Sequence, residues 1–129
     1  VEYHGKTLTD TNESAMTLFE QMNHPFITSY WQPPNAKPFE YCLDGLVKVL
    51  PFLSNVHVFH WITGRGDQKP LESGYNEWCQ YLQKVNSSSS KHYALLEFIK
   101  DDSIEQFMQD AAVLKKMIAS LQKEKDTGL

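Results

Sequence analysis

The chain has 129 residues, 41% of them hydrophobic and 22% charged, with a formal net charge of −4. That length suits one domain with a core of its own, since such a chain buries roughly two thirds of its unfolded surface. The acidic balance argues against an electrostatic grip on nucleic-acid phosphates, and no stretch has the length and apolarity of a membrane-spanning helix or a leader.

Taken in order, Val1–His4 reads as a short strand, and the chain therefore opens inside a strand pattern, as expected of a piece of something longer. Gly5 to Asp10 forms a loop. Thr11 or Asn12 then caps a helix whose apolar positions Ala15, Met16, Leu18, Phe19 and Met22 share one broad face. Asn23-His24-Pro25 stops it. A second strand, Phe26 to Gln32, runs into Pro33-Pro34-Asn35, where two prolines forbid further ladder pairing. Pro38 suits a first helical turn, and Phe39, Cys42, Leu43, Leu46, Val47 and Leu50 recur with helical spacing up to Pro51.

The third strand, Ser54 to Trp61, is the most informative stretch. His57 lies within a β-branched and aromatic run, as expected of a buried parallel strand with a polar group near its end. Gly64-Arg65-Gly66-Asp67 follows as a flexible polar loop, and Tyr75, Trp78, Cys79 and Leu82 mark a third helix. A serine run over residues 87–90 leads to a fourth strand, Tyr93 to Ile99, holding Glu97. Asp102 and Glu105 have capping-box spacing ahead of a last helix, with Ile104, Phe107, Met108, Ala111, Ile118 and Leu121 on one face and a charged, frayed tail from Lys123 to Leu129. Cys42 and Cys79 lack metal-knuckle or redox spacing and read as reduced thiols of a cytoplasmic protein.

Strands alternating with helices predict four parallel βα units with right-handed crossovers, in one domain spanning residues 1–129. Such a sheet would leave two edges and one face uncovered, which invites pairing with another chain. The polar groups at the strand ends are Glu2, Gln32, His57 and Glu97, one per unit. Two carboxylates, an imidazole and an amide oxygen can ligate a divalent ion such as Mn²⁺, Mg²⁺, Co²⁺ or Zn²⁺. A lone histidine in an apolar strand is more often a hydrogen-bonded core or near-core residue, and Glu97 also suits the partner of a lysine.

Four segments together carry a resemblance: Val1-Glu2-Tyr3-His4-Gly5 with Leu8-Thr9-Asp10-Thr11, Tyr30-Trp31-Gln32-Pro33-Pro34-Asn35, Val56-His57-Val58-Phe59, and Leu95-Leu96-Glu97-Phe98. In order and spacing they resemble the carboxyl-terminal half of the xylose isomerase-like TIM barrels, a family of sugar and sugar-phosphate isomerases and epimerases. The resemblance implies half of a (β/α)8 barrel, which needs eight units and typically about 250 residues, so that a homodimer or larger homo-oligomer would complete it.

It further implies a divalent-metal site of Glu2, Gln32, His57 and Glu97, with Gln32 where the family carries an aspartate. Glu2 and Glu97 would be the catalytic pair, moving a proton beside a carbonyl through an enediolate. His4, Asn35, His60, Trp61 and Arg65 would contact the sugar or sugar phosphate, Asn35 standing where many epimerases carry a histidine. Two other readings compete. One is a non-catalytic or truncated half-barrel scaffold, supported by Gln32; the other is a metal-dependent nuclease of the apurinic endonuclease type, which the acidic balance and the five histidines disfavour.

Overall fold

The structure, a computed structural model, describes residues 1–64 and 66–127, with side chains as far as Gln122. Its elements in chain order are α1 (Asn12–Met22), β1 (Ser29–Trp31), α2 (Phe39–Val49), β2 (Leu53–Val58), β3 (His60–Trp61), β4 (Gln68–Lys69), α3 (Tyr75–Asn86), β5 (Tyr93–Leu96) and α4 (Ile104–Thr127), with short 3-10 turns at Leu50–Phe52, Leu71–Gly74 and Lys100–Asp102. They group into two units, Val1–His57 with Ser90–Leu95, and Val58–Ser89 with Leu96 onward.

The first unit holds a three-stranded parallel sheet in the order β1-β2-β5. Trp31 lies opposite Val56 and Tyr30 opposite Asn55. Strand alternation sends Trp31 and Val56 to one face, where both are buried along with Tyr3, Phe19 and Leu46. Each such apolar side chain contributes about 1.5–3 kcal/mol when fully buried. Thr11 caps α1 through a capping box with Ser14: the Ser14 N–H donates to Thr11 Oγ1 at 3.1 Å, and the Thr11 N–H donates to Ser14 Oγ at 3.2 Å. The helix ends at Asn23, which is left-handed at φ 33° and donates its N–H to the Phe19 carbonyl.

Between the helices Asn12 is fully buried, taking the Tyr3 hydroxyl on Oδ1 at 2.7 Å and donating from Nδ2 to the Tyr41 carbonyl at 3.0 Å. Gly45 of α2 makes this possible, because a methyl there would lie 2.7 Å from Asn12 Cγ. Burial pushes the Tyr3 phenol above the ordinary tyrosine range, and the neighbouring Tyr41 adds to it.

In the second unit, β3 and β4 form an antiparallel hairpin pairing His60 with Lys69 and Trp61 with Gln68. Asp67 holds the turn by accepting from the Thr63 N–H at 3.3 Å and the Thr63 hydroxyl at 3.2 Å, and by pairing with Lys69. That ion pair holds its carboxyl below the usual aspartate range. Trp78 Nε1 donates to the Phe59 carbonyl at 2.8 Å, and the buried Asp110 takes the Leu71 N–H and the Gln106 amide, both at 2.9 Å.

These findings overturn the expected four parallel βα units and half of a (β/α)8 barrel. Val1–His4 supplies an isolated bridge from Glu2 to Tyr30 instead of a strand. The run from Ser54 to Trp61 divides at Phe59, and its last two residues turn into the hairpin. The physical reason lies in Gly64 and Gly66, whose φ values of 131° and 103° turn the expected loop back on itself, so that Gln68–Lys69 pairs with His60–Trp61 before the third helix begins. A three-stranded sheet with a separate hairpin is no half-barrel for self-association to close.

Three details of α4 also differ. Its cap is Ser103, whose Oγ accepts from the Gln106 N–H at 3.2 Å, while Asp102 takes a left-handed φ of 48°. Its buried positions are Asp110, Leu114, Met117 and Leu121, leaving Ile104, Phe107 and Met108 exposed. The helix continues through Thr127 where a frayed tail was expected, and Gly128 and Leu129 lie outside the described residues. Among the described residues no helix is long and apolar enough to cross a membrane.

Candidate functional site

Alternation along the first unit's strands assembles its polar face. Glu2 bridges Tyr30 in parallel, Tyr30 lies opposite Asn55, and His57 follows two residues along β2, so all four share the face opposite Trp31 and Val56. Glu2 Oε1 stands 3.7 Å from His57 Nδ1, with the Glu2 side chain 44% exposed and that of His57 14% exposed. The Tyr30 ring lies 5.6 Å from the imidazole at a tilt of 59°, walling one side.

A separation of 3.7 Å exceeds a hydrogen bond and is near the spread of two donors on one ion. Ligands at about 2.1 Å from a metal stand about 3.4 Å apart at the tetrahedral angle. A carboxylate and an imidazole also form the borderline donor set that Zn²⁺, Mn²⁺ or Co²⁺ accepts. Glu2 and His57 thus fit two positions of a divalent-cation site.

Further along the same unit, Tyr3, His4, Gly5, Thr9, Asp10, Gln32, Pro33, Pro34, Asn35 and Lys37 line a cleft of about 100 Å³. Gln32 follows β1 directly and precedes Pro33, which biases it to extended backbone and carries the chain away from the sheet. The structure therefore gathers His4, Gln32 and Asn35 in one cleft and Glu2 with His57 on the sheet face.

The remaining expected site residues belong to the second unit. His60 packs against Gly74, where an added methyl would lie 2.8 Å from its Cγ, and Trp61 stacks on Phe98 at 4.8 Å. Glu97 is half-buried, follows β5 directly, and donates its N–H to the Val58 carbonyl at 3.0 Å. Arg65 lies outside the described residues.

Sequence reasoning passed over Asp10 and Lys37, which face the cleft from loops without periodicity. The one available signal was that both lie within a few residues of His4 or Asn35. No family model, no curated protein and no solved structure matches the chain. The likeness to the xylose isomerase-like barrels therefore rests on the quoted residues alone.

Proposed function

We propose that the chain is a divalent-cation-dependent isomerase or epimerase of a small polyhydroxylated carbonyl compound, with Glu2 and His57 as its working pair. The observation that carries this reading is the 3.7 Å approach of the Glu2 carboxylate to His57 Nδ1 on an accessible face of the sheet. When bound, the cation supplies Lewis-acid polarisation of a substrate oxygen. Glu2, the more exposed partner, is the base that removes a proton beside the carbonyl and returns it to the neighbouring carbon. Glu2 and His57 would hold the cation between them, and the Tyr30 ring limits the approach of water from its side.

A cytoplasmic setting is part of the proposal, because Cys42 and Cys79 are free thiols, which suit a reducing compartment.

The test is metal retention. The parent chain, Glu2→Gln and His57→Ala are each incubated with Mn²⁺, dialysed exhaustively and assayed for metal by elemental analysis, with far-ultraviolet circular dichroism as the check on folding. The expected result is near-stoichiometric metal in the parent and loss in both variants. A parent that retains almost none overturns the proposal and favours the non-catalytic reading.

A further inference from the structure

The second unit carries a surface that the Glu2–His57 pair does not use. Its helix α4 has two apolar stripes. One, with Leu114, Met117 and Leu121, is buried, and the helix packs on α3. The other, Ile104, Phe107 and Met108, recurs at i, i+3 and i+4 yet is 77%, 44% and 63% exposed. Large apolar side chains left in water along one helix face mark an interaction surface.

Beside this stripe lies a groove of about 320 Å³, formed by Leu96, Phe98 and Ile99 after β5 and by Ile104 and Phe107 of α4. Phe98 is held by an edge contact with Phe59 at 5.2 Å and a stack on Trp61 at 4.8 Å, so this wall is preformed. Met108 extends the apolar surface past the groove, which suits side chains projecting from a larger partner better than an enclosed small molecule. The polar lining is Glu97, Asp102 and Ser103, and the Ser103 hydroxyl is already given to the Glu105 carboxylate at 2.9 Å.

The charges around this surface have one sign. Asp101, Asp102 and Glu105 are exposed beside the stripe. Lys100 pairs with Asp101 at 3.4 Å and offsets one of them, while Lys69, on the neighbouring β4, is engaged by Asp67. Lys115 and Lys116 stand about 15 Å or more beyond Glu105 along α4, farther than the screening length of about 8 Å at physiological ionic strength. An acidic rim repels an anionic lipid surface, and a second copy brings the same acids beside the same stripe.

We propose that this groove and stripe dock a cationic amphipathic helix of a partner protein. Its apolar side chains sit against Phe98, Ile104, Phe107 and Met108, and its lysines or arginines face Asp101, Asp102 and Glu105.

The test uses the full chain and a fluorescein-labelled helical peptide of about four turns, with leucine at i, i+3, i+4 and i+7 and lysine on both flanks. The same peptide with glutamate for lysine is the comparison. Fluorescence anisotropy is expected to show saturable binding of the lysine peptide, at least about tenfold tighter than the glutamate peptide, and the gap should narrow as salt is raised. Ile104→Ser, at an exposed position, should weaken the lysine peptide by about tenfold, the effect of losing one apolar anchor. Glu20→Gln, on the exposed face of α1, should not, which separates docking from bulk attraction to an acidic protein.

Asp101→Asn with Asp102→Asn provides a second reading should the Ile104 variant fail to fold, because asparagine tolerates the left-handed φ of 58° and 48° at these positions. It should narrow the preference between the two peptides severalfold. Equal affinity for the two peptides overturns the proposal, as does unchanged binding by a folded Ile104→Ser. So does a dimer in sedimentation that Ile104→Ser dissociates, or binding to phosphatidylserine vesicles that Ile104→Ser abolishes.

Discussion

Gly45→Ala tests the packing logic of the first unit most directly. On an exposed helix this exchange stabilises by up to about 1 kcal/mol, because alanine has less backbone freedom to lose. Here Gly45 is buried in α2, and the new methyl would overlap the fully buried Asn12 side chain. To make room Asn12 must give up its bonds to the Tyr3 hydroxyl and the Tyr41 carbonyl. Each buried polar group stranded in this way costs about 1–3 kcal/mol, so two of them outweigh the gain in propensity. The expected net effect is a loss of about 2–4 kcal/mol. Urea unfolding should show a lower midpoint with an unchanged slope, since the same surface is exposed. In the double variant Asn12→Ala with Gly45→Ala the methyl has space, and the two losses should be strongly non-additive. A single variant within about 0.5 kcal/mol of the parent, the range of a neutral surface change, would refute the reasoning.

The raised Tyr3 phenol makes stability depend on alkali. Its contribution is fully present below the ordinary tyrosine range and is lost as pH rises towards the folded-state value, so Tyr3→Phe should remove a step above that range from a 295 nm absorbance titration. Asp67 behaves in the opposite sense. Its lowered carboxyl, held by Lys69 and Thr63, favours the folded hairpin above the ordinary aspartate range and loses that effect as pH falls through the folded-state value. Lys69→Met should move the Asp67 titration, followed by carboxyl ¹³C resonances, back up towards that range. In the second unit, Asp110→Ala strands the buried Leu71 N–H and should cost about 1–3 kcal/mol in the same urea assay, whereas a surface change such as Glu20→Ala should not.

The boundaries of α1 and α2 were legible in the sequence because their causes are local. Thr11 caps α1 whatever surrounds it, Asn23 can take the left-handed turn that closes it, and the spacing from Phe39 to Leu50 commits one face of α2 to the core. The presence of strands near Ser29–Trp31, Leu53–Val58 and Tyr93–Leu96 was legible for the same reason, from β-branched and aromatic runs bounded by turn residues.

Strand pairing was not legible, because a hydrogen-bonded ladder joins segments distant in the chain. Nothing within Val1–His4 says that it will make one bridge, and nothing within His60–Trp61 says that its ladder will run antiparallel to Gln68–Lys69. The face of α4 was misread because Ile104, Phe107 and Met108 have helical spacing but remain exposed, while Asp110 is buried by the Leu71 N–H that needs an acceptor.

The candidate site divides along the same line. Residue chemistry marked Glu2, Gln32, His57 and Glu97 as metal-ligating types, and the resemblance alone suggested His4 and Asn35 as contacts. Only the register of Glu2 on Tyr30, and of β1 on β2, brings the Glu2 carboxylate to His57. Only the path of the chain through Pro33 and Pro34 brings Gln32 and Asn35 to the same cleft as His4 and Asp10. Composition and local pattern determined which helices form and which side chains have chemistry to offer. Tertiary structure decided which of those side chains meet, because proximity across a sheet is set by register and a one-residue slip would turn each of them to the opposite face.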